Sequence, residues 1–143
     1  MSNQIRYRIL VDIPITLIRV EGILSIEMPK RFLDQICADP DFNPEVNMIY
    51  DFTAGEIPFN RSEIEDLSKF FVSHPEYSGN RREVYVVNSP QELAKLSIFS
   101  MQTRELPVKF NVVTSIREAL GFTGIDPMYF SVINKVFTEL QSS

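Results

Sequence analysis

The sequence predicts a single α/β domain built on a mixed five-stranded sheet, with an initial β-hairpin, parallel strands joined by crossover helices, and an extra helix at the C-terminus. Three observations carry that expectation. The chain has 143 residues, 44% of them hydrophobic and 23% charged, which suits one globular core. Its apolar periodicity switches from two to about 3.6 and back several times. Short β-branched runs alternate with helical patterns in the order β-β-α-β-α-β-α-β-α-α, and parallel strands require such crossovers.

Tyr7, Ile9 and Val11 alternate with Arg6 and Arg8, as in a strand with one wet face. After Asp12-Ile13-Pro14, a second run from Ile15 to Val20 ends at Glu21-Gly22, close enough to pair antiparallel with the first. That places the first strand at an edge, antiparallel to the others. Met28, Phe32, Leu33, Ile36 and Cys37 then share one helical stripe. Cys37 reads as a small hydrophobe on that stripe.

Ala38 to Pro44 is a proline-rich loop, and Met48 to Phe52 a short third strand. Thr53 to Phe59 reads as a crossing loop. Asn60 and Glu63 have N-cap and reciprocal-partner spacing, ahead of the stripe Ile64, Leu67, Phe70 and Phe71 that Pro75 stops. His74 in the last turn reads as a capping or surface residue. Glu76 to Arg82 is a polar loop, and Val84 to Val87 an apolar strand covered on both faces.

Ser89-Pro90-Gln91-Glu92 is a strong helix start, with a capping serine and proline at the first helical position. Leu93, Leu96, Phe99 and Met101 form the following stripe. Lys109 to Val113 is the fifth strand. Thr114 or Ser115 caps a helix through Leu120, with Gly121 suited to a left-handed end. Asp126-Pro127 opens a last helix to Leu140 with a wide apolar face.

Composition excludes several classes of function. The net charge of -5 gives no electrostatic footprint for a polyanion, so no nucleic-acid partner is expected. One Cys and one His leave neither an internal disulfide nor a His-rich metal site; no cofactor is expected. Arg6, Arg8, Asp12 and Pro14 interrupt the first apolar run well short of a membrane span, which points to a cytoplasmic protein without an integral membrane segment. The five glycines fit no phosphate-binding loop, and the nucleophile-elbow, zincin and EF-hand patterns are absent.

Asp51, expected at the carboxyl end of a parallel strand, is the one nominated acid or base. Thr53, Asn60, Ser62, Asn88 and Ser89 would join it on a polar rim suited to binding. A partner protein or a small apolar ligand is the expected partner. On the final helix the apolar residues exceed one stripe, so either Tyr129, Phe130, Ile133 and Phe137 are homodimer contacts or the helix wraps wholly onto its own core in a monomer.

Several segments, taken with the order of elements, carry a resemblance: Ile18 to Gly22, Ala38 to Pro44, Ile49 to Phe52, Val84 to Val87 and Val113 to Leu120. Across residues 5 to 122 the chain resembles the SpoIIAA-like family, placed alongside STAS domains and CRAL-TRIO lipid-carrier domains. The resemblance implies a SpoIIAA-like domain over residues 1–125; residues 126–143 lie beyond it and read as an added amphipathic helix, packed on the same domain or at a dimer interface. For function it implies a non-enzymatic regulatory or protein-interaction module, or a carrier or sensor of a lipid, fatty acid or isoprenoid. STAS domains that antagonise anti-sigma factors carry a phosphorylatable Ser in an Asp-Ser-Ser-Gly context. Here Asn60, Arg61 and Glu63 surround Ser62, so an intact phosphoswitch is not implied.

Overall fold

The computed structural model describes residues 3–142. Five strands, β1 (Gln4–Leu10), β2 (Ile15–Ile23), β3 (Asn47–Glu56), β4 (Arg81–Val86) and β5 (Val108–Val113), lie in the order β1-β2-β3-β4-β5. β1 pairs antiparallel with β2, and every later pair is parallel. The expected edge hairpin is therefore present.

The helices are α1 (Glu27–Cys37), α2 (Arg61–Val72), α3 (Pro90–Gln102), α4 (Ile116–Thr123) and α5 (Phe130–Glu139). Right-handed crossovers that step steadily in one direction place their helices on one face. Accordingly α1, α2 and α3 share a face through Phe32, Leu33, Ile36, Ile64, Leu67, Phe71 and Leu96, which meet Tyr50, Phe52 and Tyr85 of the sheet. Beyond β5 the chain crosses over, and α4 and α5 cover Ile15, Leu17, Ile49, Val84 and Val86 from the other side. The first layer is aromatic and the second aliphatic.

Local capping chemistry matches the residues. Asn60 Oδ1 accepts from the Glu63 N–H at 2.8 Å and Glu63 Oε1 from the Asn60 N–H at 3.0 Å, a full capping box. Ser89 and Ser115 cap α3 and α4. Asn60→Ala removes the side-chain acceptor of the Glu63 N–H and is expected to lower stability by about 1 kcal/mol. The check is a fall in the urea midpoint with an unchanged slope.

Several boundaries differ from expectation for tertiary reasons. β3 continues through Thr53 to Glu56 instead of looping out, because β2 runs on to Ile23 and supplies its ladder partners across a register shift after Arg19. β4 begins at Arg81, within the expected polar loop, because Arg81 and Glu83 neutralise each other in the interior. α4 extends three residues past Leu120, and Gly124, not Gly121, adopts the left-handed conformation, at φ +71°. On α3 only Leu96 of the expected stripe is fully buried; Met101 is 68% exposed, beyond the reach of the sheet. His74 follows α2 and holds its end, with Nδ1 2.8 Å from the Phe70 carbonyl and Nε2 3.3 Å from Asp34. Burial, with Glu76 nearby, pushes the Cys37 thiol up to about 11, so it stays protonated at neutral pH.

The last helix is also shorter than its apolar pattern. Asp126 caps a 3₁₀ turn over Pro127–Tyr129, and α5 begins only at Phe130. Ile133 and Phe137, nominated as dimer contacts, are instead buried with Val136 and Leu140 against the aliphatic face of the sheet. Phe130 is half-buried, with the Arg117 guanidinium 3.9 Å from its ring centroid. The large apolar residues this segment leaves exposed are Met128, Tyr129 and Val132.

Candidate functional site

The aromatic layer does not close completely. Between the sheet and α1, α2 and α3 lies an apolar cavity of about 70 Å³. Tyr50, Phe52 and Tyr85 form its floor, Phe32, Leu67, Phe71, Leu96 and Phe99 its helical walls, and Ile57 with Phe59 its rim. These rim residues stand on the segment between β3 and α2, at alternate positions around Pro58, so both side chains turn inward. Lys95 is the one charged lining residue.

α3 holds that rim from both sides. Glu92 Oε1 accepts from the Ile57 N–H at 3.1 Å, and the Lys95 ammonium donates to the Ile57 carbonyl. Glu92 Oε2 accepts the Ser89 hydroxyl. Among the described residues Lys95 has no carboxylate within 4 Å, so its charge stands at the cavity wall held by one backbone carbonyl.

On the same face of the sheet as the cavity, the aromatic layer carries a buried polar network. Tyr77 donates to Glu83 Oε1 and Tyr85 to Glu83 Oε2, each at 3.0 Å, while Tyr50 and Tyr77 share a hydrogen bond. Arg81 adds two bonds to Glu83 Oε1, at 2.9 and 2.7 Å, and its guanidinium lies 4.4 Å from the Tyr77 ring centroid. Burial, reinforced by the nearby Glu83 charge, holds the Tyr50 and Tyr85 hydroxyls well above the usual tyrosine range. These hydroxyls are neutral and already partnered.

The sheet separates Asp51 from the cavity. Asp51 lies within β3, not at its end, on the α4–α5 side. Its Oδ2 accepts from Arg19 at 2.8 Å, and its Oδ1 from the Thr53 N–H and hydroxyl at 2.9 and 2.7 Å. Glu21 is the second carboxylate near Arg19, at 3.6 Å, and accepts from Gln4 and the Ser142 N–H. Arg19 therefore holds Asp51 as a structural ion pair, not as a free base.

The expected polar rim comes together only in part. Thr53, Asn88 and Ser89 line one open cleft beside the start of α3, where Asn88 donates to the Thr53 carbonyl at 3.0 Å. Asn60 and Ser62 sit outside it, at the exposed start of α2. Lys95 lines both this cleft and the apolar cavity. Sequence reading missed Lys95, Ile57 and Phe59 as site residues. The available signal was a pair of apolar residues flanking proline in a segment read as a loop.

The architecture defines a three-layer α/β domain with an apolar cavity under its crossover helices. Among solved structures, the chain is similar to a crystal structure of an uncharacterised protein of the DUF3478 family from Shewanella loihica PV-4, described as having a SpoIIAA-like fold. The two share 16% identity with a TM-score of 0.57, over 86% of this chain and 96% of that one. This chain therefore has a SpoIIAA-like fold, as the sequence resemblance implied. No family model matches the sequence, and no curated protein matches it. Among the described residues, no cluster of three or more His, Cys, Asp or Glu is arranged to hold a metal. No described helix is long and apolar enough to cross a membrane.

Proposed function

We propose that this protein is a non-enzymatic regulatory module that takes a small apolar group into the cavity beneath α1, α2 and α3 and presents the resulting surface to a partner protein. The observation that carries this reading is the cavity itself: a lining of aliphatic and aromatic side chains with a single charge, within the layer that holds most of the chain's aromatic residues. Binding sites are typically concave and mostly apolar, with few polar groups. A binding role also suits the polar side chains nearby, which are committed elsewhere. Asp51 is held by Arg19, and the Tyr50 and Tyr85 hydroxyls belong to the Glu83 network.

Its size limits the ligand. About 70 Å³ is roughly half the ~150 Å³ of an engineered apolar cavity that admits benzene. A chain of a few carbons fits; a long acyl chain requires the Ile57–Phe59 rim to move. Methyl NMR with pentan-1-ol as probe tests the reading. Saturable shifts are expected at the methyls of Leu24, Ile57, Ile64, Leu67 and Leu96, which line the cavity, with those of Leu17 and Ile133 on the other face unmoved. No saturable shift at the lining methyls would reduce the cavity to a packing defect.

A further inference from the structure

We propose that the ligand of this cavity is a short-chain carboxylate, its tail among Leu96, Phe99 and Phe59 and its head group on the Lys95 ammonium. The inference rests on the cavity reading above and adds the chemical class of its occupant.

Lys95 sets a positive charge at the edge of an apolar cavity, its stem along the lining and its ammonium on the Ile57 carbonyl. Nothing in the lining supplies an opposite charge. Lys95 is half-buried, and of its three N–H donors one is directed to the Ile57 carbonyl. Two remain for an incoming oxygen. The same side chain lines the polar cleft of Thr53, Asn88 and Ser89, so a head group on its ammonium can stay hydrated while the tail enters the cavity.

The neighbouring charges select the head group. Glu56 and Glu92 line the cleft from the β3 end and from the same helix as Lys95. Both Glu92 oxygens are engaged, one by the Ile57 N–H and the other by the Ser89 hydroxyl, so Glu92 neither needs nor captures the ammonium. Glu56 and Glu92 make the cleft around the ammonium negative, so it tolerates one added negative charge better than the two of a phosphate. Of the two anions, the carboxylate is the head group that the Lys95 charge can hold against these neighbours, and the cavity volume keeps its tail short.

The same methyl NMR titration, run with pentanoate and pentan-1-ol on the wild type, Lys95→Met and Lys95→Arg, tests the assignment. Pentanoate is expected to shift the cavity methyls at several-fold lower concentration than pentan-1-ol. Lys95→Met is expected to weaken pentanoate at least tenfold and pentan-1-ol less than twofold; Lys95→Arg, which keeps the charge, is expected to hold pentanoate within about threefold. Equal loss of both probes in Lys95→Met would show that Lys95 only holds the Ile57 rim, and would overturn the head-group assignment. So would pentanoate binding no tighter than the alcohol in the wild type, or pentanoate shifts confined to another surface. In each of those cases the alcohol still reports the cavity. If neither probe binds the wild type, the cavity reading fails and the assignment with it.

Discussion

Glu83→Ala is expected to destabilise the protein by about 3–5 kcal/mol, the cost of leaving a buried charge uncompensated. Glu83 is 2% exposed and accepts from two tyrosine hydroxyls and twice from Arg81. Without it, the Arg81 guanidinium keeps only the Pro44 and Tyr77 carbonyls, at 2.8 and 2.7 Å, and the Tyr85 hydroxyl loses its acceptor. Replacing the pair together, as Arg81→Met with Glu83→Leu, removes both buried charges and is expected to recover much of the loss. Denaturant midpoints of the wild type and the two variants check this. A single-variant loss below about 1 kcal/mol would mean that water reaches the network.

Phe137→Ala is expected to cost about 3–5 kcal/mol, the range for removing a fully packed phenyl ring. The side chain is 3% exposed and packs with Ile133, Val136 and Leu140 over β2, which is otherwise buried along nearly its whole length. α5 is only ten residues long, too short to persist on its own propensity. Its position depends on this packing, so the damage should reach the sheet. The readout is a lowered thermal midpoint, together with accelerated amide exchange in β2 that Asn60→Ala does not produce. A loss confined to α5, with β2 still protected, would show that the helix is an appendage and not part of the core.

The sequence revealed those parts of the fold that depend on local chemistry. The edge hairpin, the caps at Asn60, Ser89 and Ser115, and the apolar stripe of α1 are each written within 20 residues or fewer, and each is present. The missed features depend on partners distant in sequence. Arg81 and Glu83 look like solvated loop residues until Tyr77, Tyr85 and the Pro44 carbonyl surround them. Asp51 looked like a rim acid because its partner, Arg19, lies 32 positions away on the neighbouring strand. Of the six candidate binding residues, Thr53, Asn88 and Ser89 share a cleft, while Asn60 and Ser62 serve the start of α2. The cavity is an absence between three helices, and no side chain encodes an absence by itself. Lys95 had no distinguishing mark in a helix with ordinary surface residues.

The unequal layers also decide what an optical probe would see in this molecule. The chain has no Trp and five Tyr. Tyr7, Tyr50, Tyr77 and Tyr85 belong to the layer under α1, α2 and α3, and only Tyr129 lies on the other side, in the turn before α5. Intrinsic emission and near-ultraviolet dichroism therefore watch one half of the domain. Filling the cavity would be bright to them, whereas fraying of α4 and α5 would pass almost in the dark, and a tryptophan in place of Phe130 would give that half a signal of its own.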